Sequence, residues 1–347
     1  MKKYDVIIVG AGPAGLYTAK LLEKKLDVVV VEEHKKIGFP VQCSGLISRN
    51  LENLMEINKV FVEHRVKSAL LHSPFGTELK LEKAKTAAYV INRGKFDCFL
   101  AKSLKSRVLL GTKAKSISVK NRVRVSTNMG DFESEFLVGC DGANSLVARE
   151  FNARPQEILT GLIALVKKQD RSANVDLWFD KNITDGFLWK IPRGEKTEYG
   201  MLGKKVGFGV LEKFFGLKNY EKVTGLVPIG PGKTYFDRTI LIGDAAAQIK
   251  PWSGGGVVYG LTCAKIASSV ILDSFKEGDF SETFLKRYED GWKKSIGKNI
   301  SLGLMFREFY KEMNNRDIER IFRKLREKKT GFSFLDMDFP VENMFKY

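Results

Sequence analysis

With 347 residues, 44% of them hydrophobic and 29% charged, the chain has the composition of a folded protein with two or three packed substructures, which excludes disordered, collagen-like and disulfide-scaffold classes. Its 58 Lys+Arg against 41 Asp+Glu leave a formal charge of +17, suited to nucleic acid, an anionic membrane surface or an anionic substrate, or to a lysine-rich solvated surface with no such partner. Four scattered cysteines, Cys43, Cys98, Cys140 and Cys263, form no CxxC pair, so zinc, iron–sulfur and disulfide frameworks are not expected and a reducing cytoplasm is.

In chain order, Met1-Lys2-Lys3 runs directly into a strand, Tyr4–Val9, so no secretory leader is expected. A glycine cluster follows, then helical spacing over 14–25 and a second buried strand, Val28–Val31, which together open a βαβ unit. These apolar runs are strand-sized and fall short of the roughly 20 residues needed to span a bilayer. Short alternating pieces occupy 51–90, with turn residues at Ser73-Pro74 and Phe75-Gly76. A helix is expected over 96–104, strands over 108–111, 116–119, 123–126 and 136–139, antiparallel strands through 157–210, and helices from Val257 to about residue 329. The expected class is α/β: a Rossmann-like dinucleotide-binding domain (1–50, 90–155, 235–275) interleaved with an antiparallel-sheet substrate domain (51–89, 156–234), then a C-terminal helical region (276–347).

Gly10-Ala11-Gly12-Pro13-Ala14-Gly15 is a GxGxxG placed between a strand and a helix, the context that lifts it above a bare strand-to-helix turn. Gly10 permits the turn, Gly12 admits a pyrophosphate, Gly15 lets helix and sheet approach, and the helix N-terminus beginning at Pro13 and Ala14 favours negative charge. Glu32, at the end of the second strand, is placed to hold both ribose hydroxyls of an adenosine.

Two later blocks, Val138-Gly139-Cys140-Asp141-Gly142 and Gly243-Asp244-Ala245-Ala246 followed by Pro251 and Gly254-Gly255-Gly256, complete an ordered set. This set resembles the FAD-binding fold of the p-hydroxybenzoate-hydroxylase-like flavoproteins. The resemblance implies FAD as cofactor, with Asp244 on the ribityl chain and the helix entered through Gly254, Gly255, Gly256 and Val257 aimed at the flavin pyrimidine, where its dipole stabilises reduced flavin. It also implies contacts from Pro251, Ala114 and Arg93. The alternative for Arg93 is an ordinary salt bridge at a helix start. Asp141 reads as a turn-holding residue.

Two further segments narrow the family. Pro40-Val41-Gln42-Cys43-Ser44-Gly45 follows the second strand, and Phe187-Leu188-Trp189-Lys190-Ile191-Pro192 is followed eight residues later by Gly200; period-2 alternation sends Phe187, Trp189 and Ile191 to one face. These resemble the PxxCxG loop and the aromatic-x-Trp-x-(Phe or Ile)-Pro-x7-Gly strand of the geranylgeranyl reductase family, with Phe187 where that family usually has Tyr and a shorter C-terminus than many members. The resemblance implies reduction of isolated prenyl C=C bonds in archaeal membrane lipids, isoprenoid diphosphates or quinones. Cys43, Ser44 and Gly45 would then sit by the flavin, and Phe187, Trp189, Ile191 and Gly200 would line an apolar substrate tunnel. Protonation of the olefin with hydride delivery would develop positive charge that an aromatic face stabilises. Cys43 is the candidate acid, or a small packing residue; Trp189 is the tunnel wall, or a core aromatic. The alternative activity is a flavin-dependent monooxygenase or halogenase on the same fold, and a third reading is a non-catalytic lipid-binding or carrier-binding flavoprotein.

No second GxGxxG occurs, so an external donor, a reduced carrier protein or NAD(P)H, is expected to reduce the flavin. His34, His64 and His72 show no metal spacing, no metal is assigned, and no nucleic-acid motif is present. Ile318, Ile321, Phe322 and Leu325 form an apolar stripe on a basic helix, which either lies on an anionic bilayer at the inner face of the membrane or caps the substrate domain. Leu302, Met305, Phe306, Phe309 and Met313 form a second stripe, a candidate tunnel wall, and Phe332, Phe334, Met337, Phe339 and Phe345 make an apolar tail, a candidate lid.

Overall fold

The computed structural model describes residues 2–327 and 337–338. The chain forms two compact units, one from Met1–Pro40, Arg93–Glu157 and Pro228–Ser301, the other from Val41–Asn92, Ile158–Val227 and Leu302–Tyr347.

The first unit is built on a mixed eight-stranded sheet. Its strand Lys2–Val9 lies between Gly130–Gly139 and Val28–Val31, parallel to both, and Val28–Val31 in turn pairs in parallel with Arg107–Leu109. Strands buried on both faces need continuous apolar runs, and all four valines of Val28–Val31 are buried, Val29 and Val31 packing with Ile7, Val9, Leu137 and Val147. The helix Pro13–Leu22 packs along the helix Val257–Glu277. The latter is long and apolar enough to cross a membrane by composition, but 61% of its most apolar window is buried inside the fold, so its length serves the core.

The second unit holds a seven-stranded sheet in the order Glu221–Ile229, Glu157–Val166, Lys196–Gly203, Phe187–Arg193, Asn174–Trp178, Ser68–His72, Glu78–Glu82. It departs from a purely antiparallel sheet where Asn174–Trp178 runs parallel to Ser68–His72, two segments about a hundred residues apart in sequence. A three-stranded antiparallel sheet, Leu46–Ser48, Ala88–Ile91 and Val62–Val66, completes it. Residues 41–50, expected with the dinucleotide domain, group with this second unit because Leu46–Ser48 pairs with Ala88–Ile91. The expected C-terminal region is also divided, residues 276–301 falling in the first unit and residues 302–327 in the second. A helix at Phe208–Phe215 replaces the end of the expected strand run, closed by Gly216 at φ 64°.

The basic helix Asn315–Glu327 uses its stripe as a cap: Ile318, Phe322 and Leu325 pack with Leu79, Leu71 and Phe179, while Ile321 stays exposed. Glu319 fastens it, its carboxylate accepting hydrogen bonds from the Ser73 hydroxyl, from Thr77 Oγ1 at 2.6 Å and from Arg323 Nε at 2.8 Å. These donors, led by Ser73, lower its pKa from 4.5 to about 2. A depressed carboxylate stabilises the fold above its unfolded value and loses that contribution as pH falls through its folded one. Glu319→Gln should therefore cost about 2 kcal/mol at pH 7, and the Tm gap between variant and native protein should close between about pH 4.5 and about 2 in a calorimetric pH series.

The second stripe is split: Leu302 and Met313 are half-buried, Met313 packing with Leu79, Ile318 and Phe322, but its middle does not face inward. On the helix Lys298–Glu312, Met305, Phe306 and Phe309 are exposed at 56%, 49% and 61%, while Arg307 is buried and Tyr310 donates to the Gly186 carbonyl. Helical periodicity shows which residues share a face but not what that face meets. The apolar tail residues Phe332, Phe334, Phe339 and Phe345 lie outside the described residues.

Candidate active site

The glycine loop divides its labour by position. Gly10 has φ +100° and donates its N–H to the Val31 carbonyl at 2.8 Å; a Cβ there would stand 2.4 Å from the Cys140 carbonyl oxygen. A Cβ on Gly15 would stand 2.0 Å from the Gly10 carbonyl oxygen. Both glycines are demanded by the protein's own packing. Gly12 is not: its backbone is ordinary (φ −77°, ψ 179°) and a Cβ would meet nothing within 4 Å. The space beside Gly12 is thus open, and no side chain caps the helix Pro13–Leu22, leaving N–H groups available to a phosphate. Pro13 at the first helical position gives up only an N–H that has no intrahelical partner.

Glu32 also holds the loop. Its Oε2 accepts from the Ala11 N–H at 2.7 Å, and its Oε1 accepts from the His34 N–H at 2.9 Å and lies 2.7 Å from His34 Nδ1. Asp141 accepts from the Leu146 and Val147 amides at 2.6 and 3.1 Å and from the Ser145 hydroxyl, which holds the turn after Gly139 as its sequence context suggested.

The Gly243–Ala246 turn is brought against the glycine-loop helix, since a Cβ on Gly243 would lie 3.3 Å from the Ala14 methyl. Asp244 presents an exposed side chain, although the surrounding protein displaces enough water to raise its carboxyl pKa, with the Arg93 guanidinium pulling the other way. Gly256 makes room for it, because a Cβ there would come 2.8 Å from Asp244 Oδ1. Pro251 is buried, Gly254 has φ +74°, and Gly256 enters Val257–Glu277 without a side-chain cap. The nearby Ser253 hydroxyl is buried without a hydrogen-bond partner. Open space at Gly12, uncapped helix starts after Gly12 and Gly256, an exposed acid and an orphan hydroxyl fit a dinucleotide carrying a polar ring system.

Arg93 makes the expected alternative contact, a two-pronged pair with Asp97 at 3.2 Å for each bond, while its charge is still felt at Asp244. Burial raises the pKa of Asp97 in that pair, with Arg93 opposing. Ala114 is half-buried at the start of the strand Ala114–Val119 and packs on the core cluster of Ile117 and Val125. Sequence reading missed Gln248 and Tyr288. Gln248 Oε1 accepts from the Gly243 N–H at 3.0 Å, its Nε2 donates to Tyr288 Oη at 2.8 Å, and that hydroxyl donates to the Leu241 carbonyl at 2.9 Å.

The Cys43 loop and the aromatic strand both belong to the second unit. Cys43 is a half-buried free thiol whose Sγ accepts from the Gly45 N–H at 3.4 Å. Gly45 has φ +70°, and a Cβ there would meet the Ile91 carbonyl oxygen at 2.2 Å. Cys140 and Cys263 are buried, and burial pushes both thiols up; Cys98 is half-buried.

Phe187 and Trp189 share a face as expected, with ring centroids 5.7 Å apart, and Ile191 is buried. The hairpin register sets Trp189 directly opposite Gly200, where a Cβ would stand 2.2 Å from two indole carbons, so the ring lies over the space that glycine leaves. Ile191 pairs with Glu198, which puts a carboxylate on the aromatic face. Trp189 Nε1 donates to Glu198 Oε1 at 2.8 Å, and Glu198 Oε2 accepts from Arg193 at 2.8 Å. Burial raises the pKa of Glu198 despite Arg193 and Trp189; burial also opposes the charge on Arg193, but Glu198 and Glu63 outweigh it and its pKa is raised. Alternation within the strand assigns Arg193 to the face of Phe187 and Trp189, the signal by which that part of the network is legible in the sequence, whereas Glu198 joins the face only through the hairpin register.

Residues 3–170 match the family model of the FAD binding domain. The chain is 30% identical to the digeranylgeranylglycerophospholipid reductase of Methanothrix thermoacetophila, over 92% of this chain and 91% of that protein. A geranylgeranyl bacteriochlorophyll reductase-like protein from Thermoplasma acidophilum superposes with a TM-score of 0.90 at 21% identity, covering 100% of this chain and 96% of that one. The halogenase PltM in complex with phloroglucinol and FAD shares the fold at a TM-score of 0.71 and 15% identity, over 97% and 87% of the two chains. The cofactor is FAD and the protein is a flavin-dependent oxidoreductase.

Proposed function

This chain belongs to the geranylgeranyl reductase family that includes the digeranylgeranylglycerophospholipid reductases, and we propose that it saturates isolated C=C bonds of geranylgeranyl chains in isoprenoid lipids or their diphosphate precursors. The observation that carries this reading is the assembly of Cys43, Phe187 and Trp189 in one unit, with Trp189 fitted over Gly200 by the hairpin register.

Saturating one double bond adds a hydride and a proton. FAD, held by the glycine loop 10–15 and the segment 243–257, would supply the hydride when bound and reduced. An unpolarised trisubstituted olefin accepts it only as positive charge develops at the more substituted carbon, and the Trp189 and Phe187 faces stabilise that charge without competing as nucleophiles. Cys43 Sγ is the proton donor in this reading. An external reduced carrier protein or NAD(P)H restores the electrons. The excess positive charge suits peripheral work at an anionic inner membrane face, with the protein otherwise in the cytoplasm.

Dithionite-reduced holoprotein mixed anaerobically with a geranylgeranyl lipid should reoxidise its flavin and give products heavier by successive pairs of hydrogens. A reaction that needs O2 and adds oxygen or halide would replace this reading with a monooxygenase or halogenase. Cys43→Ser should retain FAD and lower kcat by about a hundredfold, the usual scale for removing a general acid. Native turnover in that variant would reduce Cys43 to a packing residue.

A further inference from the structure

We propose that Arg193 is a positioning residue that sets the Cys43 loop and the Trp189 indole as a single assembly, its guanidinium gripping Glu198 together with the carbonyl oxygens of Ser44 and Ile91. The proposal rests on the prenyl-reductase reading of Cys43 and Trp189.

The Arg193 side chain is only 10% exposed. Its Nε donates to Glu63 Oε2 at 3.0 Å, one terminal nitrogen donates to the Ile91 carbonyl at 3.0 Å, and the other donates to Glu198 Oε2 at 2.8 Å and to the Ser44 carbonyl. Those partners come from four different parts of the second unit. Ser44 adjoins Cys43, Ile91 ends the strand against which Gly45 is pressed, Glu63 lies in Val62–Val66, and Glu198 holds the Trp189 ring. Only a guanidinium can serve all four, because its five N–H donors are fixed in a plane; a lysine ammonium offers three donors from one point.

A buried ion pair is a poor route to stability, since well-packed apolar residues usually serve as well. What the pair adds is geometry. One carboxylate links guanidinium to indole, and the same guanidinium reaches the backbone beside the thiol, so ring and loop are held to a common reference. Such precision matters for reaction more than for folding, because a misplacement of about 1 Å can cost a hundredfold in rate.

The test uses FAD-loaded Arg193→Lys, with the charge-compensated Arg193→Met/Glu198→Met double variant as the substitute should the lysine variant fail to fold. Two readouts are taken: iodoacetamide alkylation of Cys43 relative to Cys98, followed by peptide mass spectrometry, and kcat and KM for a geranylgeranyl lipid. The expected result is Cys43 labelling about tenfold faster with Cys98 unchanged, as befits one charged hydrogen bond lost from a closed loop. With it, kcat should fall about a hundredfold while KM stays within about threefold. Native Cys43 labelling in a folded variant overturns the proposal, whether or not activity falls, and so does native kcat with faster labelling. Failure of the native protein to reduce any prenyl lipid is a different outcome: it removes the reductase reading, while the labelling ratio still decides whether Arg193 holds the loop.

Discussion

Gly12→Val is expected to leave the apoprotein's Tm within about 3 °C of native while weakening FAD binding by about a hundredfold. The two effects separate because the position has two kinds of neighbour. Toward the protein, a Cβ at Gly12 meets nothing within 4 Å and its backbone dihedrals suit any residue, so the folded chain loses only a capping preference worth under about 1 kcal/mol. Toward the cofactor, the isopropyl group fills the space through which a pyrophosphate reaches the uncapped helix N-terminus, and forfeits two charged hydrogen bonds, about 3 kcal/mol. Gly15→Val is the internal control. Its Cβ would stand 2.0 Å from the Gly10 carbonyl oxygen, a backbone atom with no room to yield, so that variant should lose about 6 °C or more of apoprotein Tm together with the flavin. Apoprotein calorimetry and a flavin-fluorescence titration of both variants decide the matter. If Gly12→Val binds FAD like the native chain, the phosphates do not pass that glycine.

Which parts of this molecule are legible in the sequence follows from how local their causes are. GxGxxG is readable because its three glycines and their spacing lie within one strand–turn–helix, and the aromatic face of Phe187, Trp189 and Ile191 because alternation needs only the strand itself. Arg193 is on that same face by the same rule and Glu198 joins it across the hairpin, but a charged residue in an apolar run gives no sign of whether it points to water or to a partner nine residues or a hundred and fifty away. The parallel pairing of Asn174–Trp178 with Ser68–His72 is equally non-local, and antiparallel neighbours on one side gave no hint of it. Residues 41–50 follow the first unit in sequence, whereas the pairing of Leu46–Ser48 with Ala88–Ile91 groups them with the second. The stripe of Leu302, Met305, Phe306, Phe309 and Met313 shows the same limit on a helix: spacing groups the five, and only packing says that Met313 meets the core while Met305, Phe306 and Phe309 face outward.

Gly200→Val should destabilise the protein by about 3 kcal/mol and abolish prenyl reduction, and the two losses should be separable by a second substitution. The added Cβ would stand 2.2 Å from Cε2 and Cζ2 of Trp189 and 2.7 Å from its Nε1. The indole cannot slide aside cheaply, since it is 8% exposed and its Nε1 is held by Glu198. Moving it breaks that bond and leaves Glu198, 1% exposed, with one fewer donor against a buried carboxylate. Replacing the ring as well, in Trp189→Leu/Gly200→Val, removes the clash by exchanging volume across the strand pair, so Tm should recover most of the way to that of Trp189→Leu alone, a coupling a double-mutant cycle measures directly. Turnover should not recover, because an isobutyl group has no π-face to stabilise positive charge on the olefin. If Gly200→Val is as stable as the native chain, the close approach of ring and glycine is not what the register enforces; if the double variant regains activity, Trp189 is a core residue and the aromatic face acts through Phe187 alone.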